Sequence, residues 1–318
     1  MSNVLVIGAC GQLGSELTLA LCDLHGSEHV LATDIREPKT SRFKCSFEVL
    51  NAMDKEGLEA LVKQYKIDQI YHLAAILSAK GEEKPKLAWA LNMESLLNVL
   101  EIARTHNLEK IYWPSSIAVF GPSTPVDNTP QNTVMDPNTV YGISKLAGER
   151  WCAYYFEKYG VDVRSLRYPG LIGYKALPGG GTTDYAVDIY YKALQGENLN
   201  CFLSKETALP MMYMEDAVKA TIDLMEADAD KVKIRSSYNI SAMSFTPDEI
   251  AASIQKRIPE FKINFEPDFR QAIADSWPNS IDDTPARTDW GWQPKYDLDQ
   301  MTADILENLP KLLDKSEV

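Results

Sequence analysis

The first half of the chain alternates short apolar runs with longer stretches of helical periodicity. Val4–Ile7 and Val30–Thr33 are predicted to be buried strands, and residues 12–25 between them repeat apolar positions at helical spacing. Buried strands that alternate with helices form right-handed crossover units, so the pattern predicts an α/β fold with a doubly wound parallel sheet. Further elements are predicted, in chain order, at 57–65 (helix), 69–74 (strand), 86–105 (helix), 110–113 (strand), 141–158 (helix) and 161–166 (strand).

The second half has a different pattern. Residues 173–184 contain four glycines without periodicity and are predicted to form a loop. Helices are predicted over 184–194 and 216–225, and another begins after Thr246, which serves as N-cap with Pro247 in the first helical position. No linker separates the halves, so we expect the second half to pack against the first as a cap.

A glycine-rich turn joins the first strand to the first helix. Gly8 permits a tight turn, Gly11 allows the backbone to approach a pyrophosphate, and Gly14 allows close packing of helix on sheet. Asp34 ends the second strand, where a carboxylate accepts hydrogen bonds from ribose hydroxyls and repels the 2′-phosphate of NADP. The turn therefore predicts a dinucleotide site that favours NAD, although Arg36 nearby could meet a phosphate.

Tyr141 and Lys145 lie one helical turn apart on one face of the predicted 141–158 helix. A phenol with a pKa of about 10 is a poor base near neutral pH, and a neighbouring ammonium together with an oxidised nicotinamide would lower that pKa. Ser116 follows the 110–113 strand, and parallel strands end at one edge of the sheet, so we expect Ser116 to meet Tyr141. Alone, such a Tyr/Lys pair is also typical of an exposed helix face.

Together these motifs resemble those of the extended short-chain dehydrogenase/reductases. The shared features are Gly8, Gly11, Gly14, Asp34, residues 72–75, Asn92, Ser116, Tyr141, Lys145 and residues 167–170. Within that family the chain is most similar to the short-chain L-threonine 3-dehydrogenases, over residues 113–122, 178–186, 210–214 and 275–278. The resemblance implies a Rossmann-like NAD-binding domain over residues 1–175, with return segments near 208–241, interleaved with a smaller substrate-binding cap over 176–318.

The resemblance also implies a reaction. The β-hydroxyl of L-threonine would be oxidised by hydride transfer to NAD, giving 2-amino-3-ketobutyrate, with Tyr141 as general base, Lys145 lowering its pKa and binding the nicotinamide ribose, and Ser116 orienting the hydroxyl. The implied cofactor contacts are Gly8, Cys10, Gly11, Gln12, Leu13, Gly14, Asp34, Ile35, Arg36, Leu50, Asn51, Leu73, Ala74, Ala75, Asn92, Tyr141, Lys145, Tyr168 and Leu171. It further implies a homodimer built on the helices that begin near residues 86 and 141, and a ligase that uses coenzyme A on the ketobutyrate product.

A small zwitterionic substrate needs hydrogen-bond donors for its carboxylate. The predicted substrate residues are Ser78, Ser115, Ser116, Tyr141, Thr182, Thr183 and Trp277. Gly179–Gly181 suits a loop that approaches the substrate closely, or alternatively a flexible solvent loop, and Trp277 either shields the site or packs in the cap. We hypothesise that the 173–187 loop and the Trp277 segment close over the site during turnover.

Composition restricts the partners. Lys and Arg number 32 against 45 Asp and Glu, a net charge of −13 that argues against nucleic acid or an anionic membrane as main partner. Five scattered cysteines without a C-x-x-C pair argue against a zinc ribbon, and the histidines show no ligand spacing, so we predict no metal. No signal peptide or membrane-length apolar run is evident, so we expect a soluble cytoplasmic enzyme.

Two other functions remain open at this stage. A nucleotide-sugar epimerase or dehydratase would share the fold and the Ser/Tyr/Lys set but needs cap arginines for a diphosphate, and Arg235, Arg270 and Arg287 could serve. A non-catalytic NAD-sensing protein usually lacks the Tyr or the Lys, and both are present here. For the dimer, the apolar positions Leu96, Leu97, Val99 and Leu100 fit either a helix interface or packing on the sheet.

Overall fold

The computed structural model describes residues 2–38, 43–176 and 179–316, so Leu177 and Pro178 of the predicted 173–187 loop lie outside it. The strands are β1 Val4–Ile7, β2 Val30–Asp34, β3 Ser46–Val49, β4 Gln69–His72, β5 Lys110–Tyr112, β6 Ser115–Ser116, β7 Val163–Arg164, β8 Leu166–Tyr168, β9 Gly170–Ile172, β10 Leu199–Cys201, β11 Leu209–Tyr213, β12 Tyr238–Asn239, β13 Met243–Phe245 and β14 Ile263–Phe265. The helices are α1 Gln12–His25, α2 Lys55–Gln64, α3 Ser78–Glu83, α4 Pro85–His106, α5 Val140–Tyr159, α6 Tyr185–Leu194, α7 Met214–Glu226, α8 Pro247–Gln255, α9 Phe269–Ala274, α10 Thr284–Trp290 and α11 Leu298–Ser316.

The main sheet has the order β3-β2-β1-β4-β5-β7, and every pair in it is parallel. This confirms the predicted doubly wound fold. The strand order reverses between β1 and β4, and ligands of such sheets bind outside the carboxyl ends of the strands at that point. The glycine turn after β1 and the segment after β4 lie there.

Smaller sheets extend the carboxyl edge. Strand β8 lies between β6 and β12, and the pairing of β6 with β8 places Ser115 opposite Arg167 and Ser116 opposite Tyr168. Strand β11 lies between β9 and β13, and β10 pairs with β14. The strand predicted at 161–166 therefore corresponds to two strands, because the chain leaves the main sheet after Arg164 and enters the β6-β8-β12 sheet.

Apolar side chains fill both faces of the sheet and the cap. One face is covered by α2, α4 and α5, and the other by α1, α7 and the Trp292 region. A further cluster joins the cap helices α6, α8 and α11 to residues 117–120, Tyr141 and Trp277. No helix in the described part of the chain is long and apolar enough to span a membrane. The boundary predicted near residue 175 stays a prediction.

Candidate active site

The glycine turn leaves no room for a side chain at Gly8 or at Gly14. Gly8 adopts φ +89°, and a Cβ there would lie 2.8 Å from the Ala74 nitrogen. A Cβ on Gly14 would lie 2.1 Å from the Gly8 carbonyl oxygen. These two glycines therefore hold the start of α1 directly against the turn, and Gly8 holds the turn against the segment after β4.

The first turn of α1 is suited to an anion. Its N-cap is Gly11, no side chain caps its N–H groups, and it carries no acidic residue. The Gln12 Nε2 is buried and lacks a hydrogen-bond partner among the described residues. Uncapped N–H groups and a buried, unpaired amide at a helix N-terminus fit the pyrophosphate of a dinucleotide.

Asp34 lies at the carboxyl end of β2, directly beside the turn. Its Oδ2 accepts a hydrogen bond from the Cys10 N–H at 3.0 Å, and its carbonyl accepts from the Leu50 N–H at 2.8 Å. Ile35 and Arg36 are exposed next to it. The structure thus brings the residues predicted for the adenosine ribose to one place.

Other residues predicted to contact the cofactor hold the protein together. The Asn92 side chain accepts from the Ile76 N–H at 2.8 Å and donates to the Ile76 carbonyl at 3.1 Å, which fixes the segment after β4. The Tyr168 hydroxyl is bonded to Tyr112 and Thr221 in a buried chain. The Asn51 side chain accepts from the Met53 N–H at 3.1 Å. Contacts of these side chains with NAD stay predictions.

Helix α5 presents Tyr141 in its first turn. Thr139 caps the helix by accepting from the Gly142 N–H at 3.1 Å. Tyr141 is 9% exposed. Burial raises the pKa of Tyr141 to about 12, and hydrogen bonding with the nearby Ser116 hydroxyl opposes that rise. Ser116 and Tyr141 are therefore neighbours, and their shared catalytic role stays a prediction.

Lys145 lies one turn further along α5 and is also buried. Its Nζ donates to the Pro114 carbonyl at 2.5 Å, 4.4 Å from the Trp113 ring centroid and 5.5 Å from that of Tyr141. Burial lowers the pKa of Lys145 to about 7. The Lys145 amine thus lies beside Tyr141. Because its pKa is about 7, it is only partly charged at neutral pH. Lowering of the Tyr141 pKa by Lys145 stays a prediction for the NAD-bound protein.

Two hydroxyls predicted for the substrate meet although they are 104 residues apart. The Ser78 and Thr182 hydroxyl oxygens lie 3.1 Å apart, and both side chains are almost completely buried. Helix α3, which begins at Ser78, packs on α5, so that a Cβ at Gly81 would lie 3.9 Å from the Tyr141 Cβ. The substrate-side hydroxyls and Tyr141 therefore belong to one region.

The glycine loop is anchored by a carboxylate. The N–H groups of Gly180 and Gly181 both donate to the Asp184 Oδ2 at 2.8 Å. Thr183 lies against Gly170 of β9, where a Cβ would come within 2.8 Å of its side chain. In this structure the described part of the loop is hydrogen bonded and held against β9.

Ser115 and Trp277 are placed differently from the other predicted substrate residues. Ser115 is buried, and its hydroxyl donates to the Glu149 carboxylate at 2.6 Å. Its contact with the substrate stays a prediction. Trp277 is 6% exposed and packs in the cap cluster that contains Tyr141. It borders a cavity of about 260 Å³ whose lining includes no other predicted site residue, so a shielding role for Trp277 stays a prediction.

His72 ends β4 beneath the site. Its Nε2 lies 2.9 Å from the Ser95 hydroxyl, and burial lowers its pKa to about 3, so the ring is neutral at physiological pH. Ser95 in turn donates to the Leu91 carbonyl, which makes His72 the donor in that bond. His72 is therefore a neutral, buried ring that links the end of β4 to Ser95 of α4.

Glu149 and the pair Trp113 and Pro114 were not assigned a role from the sequence. Glu149 is fully buried and bonded to Ser115 and Arg167, whereas Trp113 and Pro114 surround the Lys145 ammonium. The available signal was spacing: Glu149 follows Lys145 by one helical turn, as Lys145 follows Tyr141.

Comparison with known proteins agrees with this geometry. The model of the NAD dependent epimerase/dehydratase family matches residues 4–241. An uncharacterized epimerase/dehydratase from Staphylococcus haemolyticus is 51% identical over 310 residues, covering 96% of this chain and 97% of that protein. Among solved structures, a partial consensus L-threonine 3-dehydrogenase has a TM-score of 0.96 at 59% identity, covering 97% of this chain and 99% of that chain.

A natural enzyme gives a similar match. The GalE-like L-threonine dehydrogenase from Cupriavidus necator, in its holo form, has a TM-score of 0.94 at 57% identity, covering 96% of this chain and 99% of that chain. The glycine turn, the acid after β2 and the Ser/Tyr/Lys set lie within the matched residues 4–241. The chain therefore belongs to the NAD dependent epimerase/dehydratase family.

Proposed function

We propose that this protein is an NAD-dependent L-threonine 3-dehydrogenase that oxidises the β-hydroxyl to give 2-amino-3-ketobutyrate. The observation that carries the proposal is the Ser78–Thr182 contact, which joins the cap loop to α3 beside Tyr141. Both hydroxyls are small polar groups of the kind that could bond the carboxylate of a compact amino acid. The L-threonine dehydrogenases at 57% and 59% identity support the same substrate.

NAD fits the residues around the turn. The α1 N-terminus and Gln12 would hold its pyrophosphate, and Asp34 would accept from the adenosine ribose. When bound, NAD supplies the hydride acceptor. A carboxylate at the ribose position disfavours the 2′-phosphate of NADP, so the side chain of Asp34 selects NAD.

Tyr141 takes the proton from the substrate hydroxyl. Ser116, next to Tyr141, holds the substrate oxygen beside the phenol, and Lys145 stabilises the phenolate through its charge. Ser78, Thr182 and Thr183 would donate to the substrate carboxylate. Each of these steps uses protein groups without a metal, and the reaction is proposed to be metal-independent.

Further parts of the proposal concern context. We propose a cytoplasmic homodimer in threonine catabolism, coupled to a ligase that consumes 2-amino-3-ketobutyrate with coenzyme A. Of the apolar residues considered for the interface, Leu96, Val99 and Leu100 are completely buried against the sheet. The interface is therefore assigned to the exposed aromatic side chains of the same helices, Trp89, Trp151, Tyr154 and Tyr159.

A nucleotide-sugar substrate is less well supported. Each cap arginine that could grip a diphosphate has an acidic partner: Arg235 pairs with Asp162, Arg270 with Asp268 at 2.6 Å, and Arg287 with Asp283 at 2.6 Å. Neutralised arginines attract a diphosphate less strongly than unpaired ones.

The test is NADH formation from NAD and L-threonine in the presence of EDTA, compared with L-serine, D-threonine and L-allo-threonine. We expect activity with L-threonine, and a loss of at least about a hundredfold in Tyr141→Phe, because general base catalysis contributes that much or more. Tyr65→Phe, which removes a phenol bonded to Glu48 outside the site, is the matched control.

Other outcomes would redirect the proposal. If a folded, NAD-binding protein forms no NADH with any of the four amino acids, a nucleotide-sugar substrate is favoured and would be tested next. Activity lost in EDTA and restored by zinc would contradict the metal-independent mechanism.

A further inference from the structure

Glu149 connects the helix that carries Tyr141 and Lys145 to two strands. Its carboxylate forms a bidentate ion pair with Arg167, with both N–O distances 2.8 Å, and it accepts from the Ser115 hydroxyl at 2.6 Å. Ser115 and Arg167 are direct partners in the pairing of β6 with β8. One buried carboxylate thus joins α5 to neighbouring positions of both strands.

The partners of Glu149 are themselves fixed. Arg167 donates to the Gln131 carbonyl and to the Asn239 side chain, each at 3.0 Å. Ser115 directly precedes Ser116, the partner of Tyr141. The network therefore sets the position of α5 relative to Ser116, and with it the contact between Ser116 and Tyr141.

The ion pair needs a reason beyond stability. A buried ion pair contributes little net stability compared with apolar side chains of similar volume, because both charges lose their hydration. Glu149 and Arg167 are both almost completely buried. A role at the neighbouring site accounts for their placement better than a contribution to the free energy of unfolding.

Glu149 is also the negative charge next to Lys145. The titratable groups around Lys145 are Tyr141 and Cys152 on α5, His72 at the end of β4, and Glu149 with Arg167 of β8 on its far side. Burial keeps His72 and the Cys152 thiol neutral, raising the pKa of the thiol. Burial favours loss of the Lys145 proton, and Cys152 followed by the Glu149 carboxylate oppose that loss. Because burial keeps the Cys152 thiol neutral, the carboxylate is the charge that acts on Lys145.

We propose that Glu149 is a positioning residue for the Ser116, Tyr141 and Lys145 site: it fixes α5 against β6 and β8, and its carboxylate, one helical turn from Lys145, favours the ammonium form of that side chain. The inference rests on the proposed dehydrogenase function. Ser115 is a second positioning residue, because its hydroxyl links Glu149 to β6, the strand that carries Ser116.

The first measurement does not use threonine. Tyrosinate absorbance of the NAD-bound protein is followed against pH, and the curve of Tyr141→Phe is subtracted to isolate Tyr141. In Glu149→Gln, Lys145 loses its proton more readily and stabilises the phenolate less, so we expect the Tyr141 midpoint to rise by more than about half a pH unit. Asp162→Asn is the control, because it removes a carboxylate from the Arg164 and Arg235 pairs elsewhere.

The second measurement separates kcat from KM for L-threonine. We expect Glu149→Gln to lower kcat about tenfold or more at neutral pH, with partial recovery at higher pH and KM within about threefold. Ser115→Ala removes one hydrogen bond but leaves the ion pair, so a smaller fall in kcat, about threefold, is expected, together with a moderate fall in the urea midpoint. If Glu149→Gln does not fold, Ser115→Ala decides the question.

Defined outcomes overturn the inference. A Tyr141 midpoint that rises by less than about half a pH unit in Glu149→Gln, with kcat within about twofold of wild type, would overturn it. So would an equal shift of the midpoint and an equal fall in kcat in Asp162→Asn. If the wild type makes no NADH from L-threonine while the Tyr141 midpoint still shifts, the proposed substrate is wrong and the role of Glu149 stands.

Discussion

The protonation of Lys145 makes the free energy of unfolding depend on pH. Burial lowers its pKa from 10.5 to about 7 in the folded state. Between these two values the unfolded chain binds the proton and the folded chain does not. The free energy of unfolding therefore gains a contribution that increases as the pH rises from about 7 to 10.5.

Lys145→Met tests this linkage in the protein without NAD. Below about pH 7 the wild type carries a buried charge that the variant lacks, so we expect the variant to be the more stable, and its advantage to shrink by about 1–3 kcal/mol from pH 6 to pH 9. Urea unfolding at several pH values measures it. Lys158→Met, which changes an exposed lysine of α5, should show no such pH dependence. An advantage that does not vary with pH would contradict the assignment.

The Ser78 and Thr182 hydroxyls are expected to bind the substrate rather than NAD. We expect Ser78→Ala and Thr182→Val each to raise KM for L-threonine by about tenfold or more, since a hydrogen bond to a charged group contributes about 1.5–3 kcal/mol. The dissociation constant of NAD, measured by titration without threonine, should stay within about twofold. An unchanged KM would remove the two hydroxyls from the substrate site.

Individual residues were predicted from the sequence where a motif fixed the chemistry, and missed where only packing did. Ser116, Tyr141 and Asp34 are where the motifs indicated. The bond from Ser115 to Glu149 could not be predicted, because it depends on how β6 pairs with β8. Neither strand carries a periodic signal, since β6 has two residues and β8 has three.

Among the elements, helix α1 is one that a single methyl group should displace. In Gly14→Ala the new Cβ would lie 2.1 Å from the Gly8 carbonyl oxygen, which is backbone and cannot rotate away. We expect the start of α1 to shift, and NAD affinity, measured by calorimetry, to fall by about a hundredfold or more.

A variant at a second glycine serves as the control that distinguishes a loss of NAD affinity from a loss of stability. Gly291 has φ +80° with open space around it, so Gly291→Ala strains the backbone without touching the turn. It should lower the unfolding midpoint and leave NAD affinity unchanged. Equal affinities in the two variants would contradict the role assigned to Gly14.

Helices and strands were predictable where burial produced a repeating pattern. Helix α5 was expected over 141–158 and covers Val140–Tyr159, whereas α3 and α11 were missed. Helix α3 is only six residues long and consists largely of charged and small side chains. Helix α11 buries Met301, Ile305 and Leu309 in the cap but contains Pro310, which is typical of a helix end.

On the scale of the whole molecule, α4 and α5 expose large apolar side chains to solvent. They are Leu87, Trp89, Ile143, Trp151, Tyr154 and Tyr159, each between 39% and 50% exposed, and the Tyr154 ring contacts those of Trp151 and Tyr159. Apolar patches on helices that also pack together are typical of subunit interfaces. We therefore place the proposed dimer contact on this surface.

Trp151→Glu should dissociate the dimer. A charge at the centre of an apolar interface loses its hydration without gaining a partner. Sedimentation velocity at several concentrations should show a wild-type dimer and a predominantly monomeric variant. Phe269→Glu, which changes an aromatic residue on α9 that is 60% exposed, should leave the association state unchanged. A monomeric wild type would remove the interface from the proposal.

The hydrogen bonds of Gln131 have a consequence for biosynthesis. Its side chain donates to the Ser237 carbonyl at 2.9 Å and accepts from the Asn239 N–H at 2.8 Å, across 106 and 108 residues. A ribosome has thus released Ser116, Tyr141 and Lys145 well before it translates the segment that completes the support beneath them. A nascent chain interrupted before that segment contains the proposed catalytic residues but cannot fully pair Arg167. If Glu149 and Arg167 position the site as proposed, the site cannot be complete before about three quarters of the message has been translated.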